Sequence, residues 1–230
     1  MKTIINIICV CIPFSGIRRR VREKLKNKYV YSVKNTEKRF SKKLNNKLPI
    51  ILWIDHSLGG GTETYTRNQF CDLMKTNNVI RMQYWPWIKQ YSMTYGTNKK
   101  TIVYKKTLSD IFEYLQKLNI SEIVVNNLVG YENSASVLQF VKQIKSICGC
   151  VVSFRGHDFH CYCPCVNMID CDGKYCNFQH SKGCEYCWKQ KMQHIDKVLH
   201  CGVSSVSAWR YDWGEFFSNT VDNIIVFSIN

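Results

Sequence analysis

The fold of this chain depends on the stretch Pro49-Ile50-Ile51-Leu52-Trp53-Ile54-Asp55-His56-Ser57-Leu58-Gly59-Gly60-Gly61-Thr62-Glu63. Its first six residues are a continuous apolar run of strand length, which is typical of a strand buried on both faces of a sheet. Three glycines follow, and the residues from Tyr65 to Met74 have the pattern of a helix. Strand, glycine turn and helix together predict the first βα unit of an α/β sheet.

Strand and helix patterns alternate along the rest of the chain. Helices are predicted at Leu108–Leu118 and Ala135–Ile147, where apolar residues recur every three or four positions. Further apolar runs of strand length are Val79–Tyr84, Thr101–Lys105, Glu122–Asn126, Cys150–Phe154 and Ile224–Phe227. This order predicts an α/β, Rossmann-like fold with a mostly parallel sheet and helices on both faces. The length of 230 residues suits one substantial core.

Positive charge is concentrated at the N-terminus. The formal net charge is +15, and residues 1–48 hold 14 of the 32 Lys and Arg but only two of the 17 acidic residues. We therefore divide the chain into a basic, partly apolar segment at 1–48 and an α/β domain at 49–230. The basic segment is predicted to lie on an anionic membrane surface, because its apolar run is too short to span a bilayer. A solvated charge run is the simpler alternative, and nucleic acid is an unfavoured partner.

Seven of the 13 cysteines fall between residues 161 and 187. In a long chain with an odd number of cysteines, they indicate a reducing cytoplasm and not a disulfide scaffold. The spacing C-x12-C-x7-C-x2-C predicts a closed structural Zn²⁺ site in a cysteine-rich loop insertion at 160–188, with the ligands Cys163, Cys176, Cys184 and Cys187. The ligand set stays open because other thiols and imidazoles are close by: Cys161, Cys165, Cys171, His160 and His180. Thiols that only pack, or redox or iron–sulfur chemistry, are the alternatives.

Candidate binding groups follow two of the predicted strands, where an open α/β sheet usually binds its ligand. The glycine turn lets backbone N–H groups approach a phosphate or carboxylate at a helix N-terminus. It matches neither a P-loop nor a dinucleotide fingerprint, and a tight turn without a ligand is the alternative. His157 and Asp158 come shortly after Phe154. This histidine could contact a substrate hydroxyl or polarise a leaving group, although a structural histidine is the commoner case.

Four motifs, in order, resemble the N-terminal half of GT-B-type glycosyltransferases of the family 4 kind, found in bacterial surface-polysaccharide synthesis. They are Asp55–Glu63, Asn126–Tyr131, His157-Asp158-Phe159 with the cysteines from Cys163 to Cys187, and the stretch from Trp209 to Ser228. The resemblance covers roughly residues 49–230. It implies an acceptor-side, Rossmann-like domain that faces a second domain holding a nucleotide-sugar.

The resemblance also implies roles for particular residues. Gly59, Gly60, Gly61, Thr62, Glu63 and Asp158 would line the donor cleft, and His157 would be the catalytic residue that faces the transferred hexose. The acceptor would be a glycan or a lipid-linked sugar at the cytoplasmic face of the inner membrane.

One feature of the resembling family has no counterpart in this sequence. The donor-side motif, two glutamates separated by seven residues, is missing. We therefore expect a truncated or split member that is inactive alone and needs a separate donor domain, because transfer requires donor and acceptor to be oriented together. The rival hypothesis is a non-enzymatic zinc-bearing adaptor that binds anionic membrane or nucleic acid through its basic N-terminus.

Overall fold

The computed structural model describes residues 40–96, 98–178, 182–192 and 202–227. Within these residues the chain forms an α/β domain of seven strands and five helices. Strands β1 to β7 span Ile50–His56, Asn78–Trp85, Gln90–Tyr95, Asn98–Lys105, Ile120–Val125, Val151–Gly156 and Asn223–Val226. Helices α1 to α5 span Gly61–Thr76, Leu108–Leu115, Ser134–Cys148, Cys184–Met192 and Val206–Asn219.

A single seven-stranded sheet runs through the domain in the order β4-β3-β2-β1-β5-β6-β7. The five strands β2, β1, β5, β6 and β7, which are neighbours in this order, are all parallel. Strand β3 is antiparallel to both β2 and β4. The prediction of an α/β fold with a mostly parallel sheet is therefore confirmed.

Helices cover both faces of the sheet, as predicted. Alternate residues of β1 point to opposite faces. Leu52 and Ile54 belong to the larger core cluster, which α2, α3 and α5 complete. Ile51 and Trp53 belong to a second cluster with Phe70 of α1. The continuous apolar run in β1 is explained by this arrangement, because both of its faces are buried.

The structure contains three elements that sequence analysis did not predict: β3, α4 and α5. Strand β3 alternates polar and apolar residues, with Tyr91, Met93 and Tyr95 at every second position. Helix α5 buries Trp209 and Trp213, which lie four residues apart. The alternation in β3 and the four-residue spacing of the tryptophans in α5 can both be read from the sequence. The cysteine-rich stretch lies between β6 and α5 and includes α4.

Residues 40–48, which sequence analysis assigned to the basic segment, pack against the domain. Phe40 is fully buried and contacts the edge of the Tyr114 ring, with 5.9 Å between ring centroids. The Asn45 backbone N–H donates to the Asn78 side chain at 2.9 Å. The remainder of the basic segment, residues 1–39, lies outside the described residues. In the described part of the chain, none of the helices has the length and apolar character needed to cross a membrane.

Trp53 offers a test of the second core cluster. Its ring is fully buried and meets Phe70 edge-on at 5.3 Å. We expect Trp53→Ala to lower the free energy of unfolding by about 3 to 5 kcal/mol, because the cavity cannot collapse against a sheet packed on both faces. Urea denaturation followed by circular dichroism measures this change. Tyr211→Ala, at an exposed ring on α5, is the control and should change stability by less than about 0.5 kcal/mol.

Candidate functional site

The carboxyl ends of β1, β5 and β6 lie side by side at one edge of the sheet. The chain leaves β1 for α1 on one face of the sheet, and it reaches β5 from α2 on the other face. The crossover therefore changes face between β1 and β5. Open α/β sheets bind their ligands at such a switch point, so the residues that follow these three strands form the candidate site.

The glycine turn after β1 leaves room for a ligand. Gly59 and Gly60 have φ angles of +86° and +88°, in the left-handed region that glycine adopts without strain. A Cβ atom at Gly59, Gly60 or Gly61 would meet no described atom within 4 Å. Helix α1 follows Gly60 and has no side-chain cap, whereas α2, α3 and α5 each have one. Its first backbone N–H groups can therefore donate to an anion.

Asp55, at the end of β1, is a fully buried carboxylate that sequence analysis did not single out beyond its motif. It accepts hydrogen bonds from the guanidinium of Arg81 at 2.5 Å, from the Thr66 hydroxyl at 3.0 Å and from the Asn126 amide at 3.1 Å. The Tyr131 hydroxyl donates to its backbone carbonyl at 3.0 Å. One residue thus joins β1 to α1, to β2 and to the loop that follows β5.

Glu63 and Thr62 lie in the first turn of α1, beside the glycine turn. The Glu63 carboxylate accepts two hydrogen bonds from Arg81, at 2.6 and 3.3 Å. Burial alone would lower the pKa of the Arg81 guanidinium, but the hydrogen bonds and charges of Glu63 and Asp55 raise it above its ordinary value. Glu63 therefore ties the start of α1 to β2.

His157 stands at the centre of the site. Its Nε2 lies 2.8 Å from Asn126 Oδ1, and the Asn126 amide nitrogen donates to Asp55, so Nε2 donates and Nδ1 keeps its lone pair. No described residue hydrogen-bonds to Nδ1. Phe227 stacks on the ring at 4.5 Å and Tyr65 meets it edge-on at 4.8 Å. Burial lowers the pKa of His157, although the charges of Asp55 and Asp158 act in the opposite direction.

His56 is the second imidazole at this edge of the sheet. It is buried, and its Nδ1 accepts a hydrogen bond from the Leu58 backbone at 3.0 Å. Burial is also the main cause that lowers the pKa of His56. Both histidines are therefore neutral at pH 7, and His56 shapes the glycine turn through its bond to Leu58.

Asp158 follows His157 directly, but its carboxylate holds the local chain together. One oxygen accepts from the Asn127 amide at 2.9 Å and the other accepts from the His160 backbone at 2.9 Å. Asn127 in turn accepts from the Val129 backbone at 2.8 Å. These bonds connect the loop after β6 to the loop after β5.

The four cysteines of the predicted metal site, Cys163, Cys176, Cys184 and Cys187, line one small cavity of about 20 Å³. Cys165, one of the other thiols close to the predicted ligands, lines the same cavity. A hydrogen bond from the Cys165 thiol lowers the pKa of Cys163 to about 6. Among the described residues, no group of three or more His, Cys, Asp or Glu side chains is already placed so that it could hold a metal ion. All ten described cysteines are free thiols.

Comparison of the chain with protein-family models, with curated proteins and with solved structures found no match.

Arg81 is the test of the buried charge network. Replacing it by methionine leaves the carboxylates of Asp55 and Glu63 without their shared cation. We expect Arg81→Met to cost about 3 to 5 kcal/mol in urea unfolding, the usual effect of breaking a buried ion pair from one side. Lys75→Met is the matched control: Lys75 pairs with Asp72 at 2.7 Å on an exposed helix surface, and its loss should be hard to detect. Equal effects of the two variants would contradict a structural role for Arg81.

The lowered pKa of His157 predicts a dependence of stability on pH. Because its pKa in the folded chain lies below the ordinary 6.5, protonation favours unfolding. The loss of stability is absent above the pKa that His157 has in the unfolded chain. It grows as the pH falls from that value through the lower pKa of the folded chain. We expect His157→Gln to lose stability less steeply than the parent chain between about pH 7 and pH 5. An NMR titration in which the His157 ring changed charge at or above pH 6.5 would contradict this.

Proposed function

We propose that this domain is the acceptor-side half of a glycosyltransferase and that the carboxyl edge of its sheet contacts the phosphates and hexose of a nucleotide-sugar. One observation carries the proposal. Asn126 connects the buried Asp55 to His157, and so holds an imidazole at the strand ends where the uncapped glycine turn also lies. The site thus combines a group that attracts phosphate with a group that can bind a sugar hydroxyl.

The glycine turn is the proposed phosphate contact. Backbone N–H groups at a helix N-terminus favour negative charge, and the glycines let a ligand approach closely. A free carboxylate in the first turn of α1 would repel a phosphate. Glu63 directs its carboxylate to Arg81, which it shares with Asp55, so its charge is partly offset.

His157 is the proposed sugar contact. The transfer breaks the bond between the sugar's anomeric carbon and the diphosphate and forms a bond from that carbon to an acceptor oxygen. The nucleoside diphosphate is released, and its phosphate oxygen takes up the proton that the acceptor hydroxyl loses. In the neutral imidazole, Nδ1 can accept a hydrogen bond from a sugar hydroxyl while Nε2 stays fixed on Asn126. The stacked Phe227 ring restricts rotation of the imidazole, which keeps Nδ1 in one orientation.

The described residues form one sheet and therefore one side of a transfer cleft. We infer that a separate α/β domain supplies the other side and most of the contacts to the nucleotide, since transfer depends on orienting both substrates together. The acceptor is a glycan or a lipid-linked sugar. Residues 40–48 are packed on the domain. Residues 1–39 are therefore the part of the basic segment that we propose contacts anionic lipid at the cytoplasmic face of the inner membrane.

A nucleotide-sugar titration tests the proposal. We expect the full chain to bind UDP-glucose, or another member of a panel of UDP- and GDP-hexoses, with a Kd of about 1 mM, near −4 kcal/mol. Amide NMR signals of Gly59, Gly60 and Gly61 and ring signals of His157 should shift together. Gly60→Ala should weaken binding at least about tenfold, because a side chain at this φ strains the turn.

Gly149→Ala is the matched control for this titration. Gly149 has a φ of +63° at the C-terminus of α3, where an added Cβ atom would meet nothing within 4 Å, and it has no part in the site. Both variants place a side chain at a positive φ, but ψ is −157° at Gly60 and +23° at Gly149, so alanine is more strained at Gly60. Circular dichroism of each variant must therefore show a folded sheet before the two affinities are compared. Equal affinities of both variants, or no shift at the glycine turn with any hexose nucleotide, would overturn the proposal. Either result would favour the adaptor hypothesis, which requires neither the glycine turn nor His157.

A further inference from the structure

Five cysteine side chains line one small cavity beside the loop that follows β6. Three come from that loop and two from α4, and the cavity has a volume of about 20 Å³. We propose that this cavity binds one Zn²⁺ ion through the thiolates of Cys163, Cys165, Cys184 and Cys187. This ligand set differs from the one that spacing alone predicts, because Cys165 replaces Cys176.

Three of these four thiols share one apolar cluster, and the fourth, Cys187, lies on α4 with Cys184. Cys187 also interacts with Cys171, but Cys171 does not line the cavity. Cys163, Cys165 and Cys184 belong to one apolar cluster with Trp188 and Val206. Cys165 hydrogen-bonds to Cys163 and interacts electrostatically with Cys187. Cys184 and Cys187 lie three residues apart on α4 and therefore share a helix face. Cys176 lines the same cavity but belongs neither to the apolar cluster nor to α4.

The charges around the cavity suit an anionic metal centre. Four thiolates around Zn²⁺ carry a net charge of −2, which is costly to bury without cations nearby. The Arg210 guanidinium lies 3.2 Å from Cys184 Sγ and 4.0 Å from the centre of the Tyr162 ring. Lys191 interacts electrostatically with Cys163, Cys165 and Cys187. Two cations thus neighbour the proposed thiolate centre.

The size of the cavity is compatible with one ion and a short inward movement of the thiols. A cavity of this volume has room for about one water-sized particle, and Zn–S bonds are about 2.3 Å long. Because the described side chains are not yet placed to hold a metal, the cysteines must turn about their Cα–Cβ bonds on binding. Metal binding would therefore order this part of the chain, as in other sites that form with their ion.

A bound ion would also stabilise the segment that carries His157 and Asp158. The Cys163 backbone donates to the Phe159 carbonyl at 2.7 Å, two residues after His157. The Trp209 indole donates to the His160 carbonyl at 2.7 Å, which connects the same turn to α5. The zinc centre is separate from the proposed sugar site, yet it anchors the loop that begins there.

Metal titration of the reduced full chain tests this inference. After chelation and removal of the chelator, we expect the chain to take up about one Zn²⁺. With Co²⁺ instead, absorption should contain thiolate-to-cobalt charge transfer and the d–d bands of a tetrahedral site. Cys165→Ser should lower Zn²⁺ affinity at least about 100-fold. Cys176→Ser, at a thiol in the same cavity, is the matched control and should keep the affinity of the parent chain.

Each other outcome would overturn the inference. Absence of Zn²⁺ uptake by the reduced parent chain, or unchanged affinity in Cys165→Ser, would exclude this site. Loss of binding in Cys176→Ser alone would restore the ligand set predicted by spacing. Circular dichroism of each apo variant shows whether the sheet stays folded, as we expect because the core lies outside this cluster. Zn²⁺ uptake is measured without a nucleotide-sugar, so the zinc proposal and the glycosyltransferase proposal can fail separately.

Discussion

The buried carboxylate of Asp55 is the constraint on which the rest of the site depends. It accepts hydrogen bonds from α1, from β2 and from the loop after β5, so three segments are placed relative to the end of β1 by one residue. A buried carboxylate is tolerated only when it is paired and hydrogen-bonded. Arg81 meets this requirement and in turn binds Glu63. The position of the glycine turn and the orientation of Asn126 both follow from this network.

The network also divides the polar residues of the site into those that hold it together and those that remain for a ligand. Glu63 and Asp158 use their carboxylates for Arg81 and Asn127. Among the described residues, the backbone N–H groups of the glycine turn and Nδ1 of His157 are groups that remain for a ligand. The N–H groups can donate to a phosphate, and Nδ1 can accept from a sugar hydroxyl. This is the physical basis of the proposed function.

Helix α5 connects the sheet to the cysteine-rich stretch. Trp213 and Phe216 pack into the main core, whereas Val206 and Arg210 reach the cavity lined by cysteines. The indole of Trp209 lies between these regions and bonds to the turn after His157. A change in the packing of the cysteines would therefore reach the candidate site through α5 and through the loop itself. The cysteine-rich stretch thus supports the turn that presents His157.

The sequence by itself determined the α/β class, most of the strands, three helices and the strand ends where the candidate site lies. These features follow from apolar periodicity and turn residues, which act over a few neighbouring positions. Only the tertiary structure decided that Asp55 pairs with Arg81, 26 residues away, and with Asn126, 71 residues away. The tertiary structure also places Cys165 at the cavity, and in it the carboxylates of Glu63 and Asp158 accept hydrogen bonds from Arg81 and Asn127. Such pairings depend on which strands become neighbours, and hydrogen bonds between distant residues leave no periodic pattern along the chain.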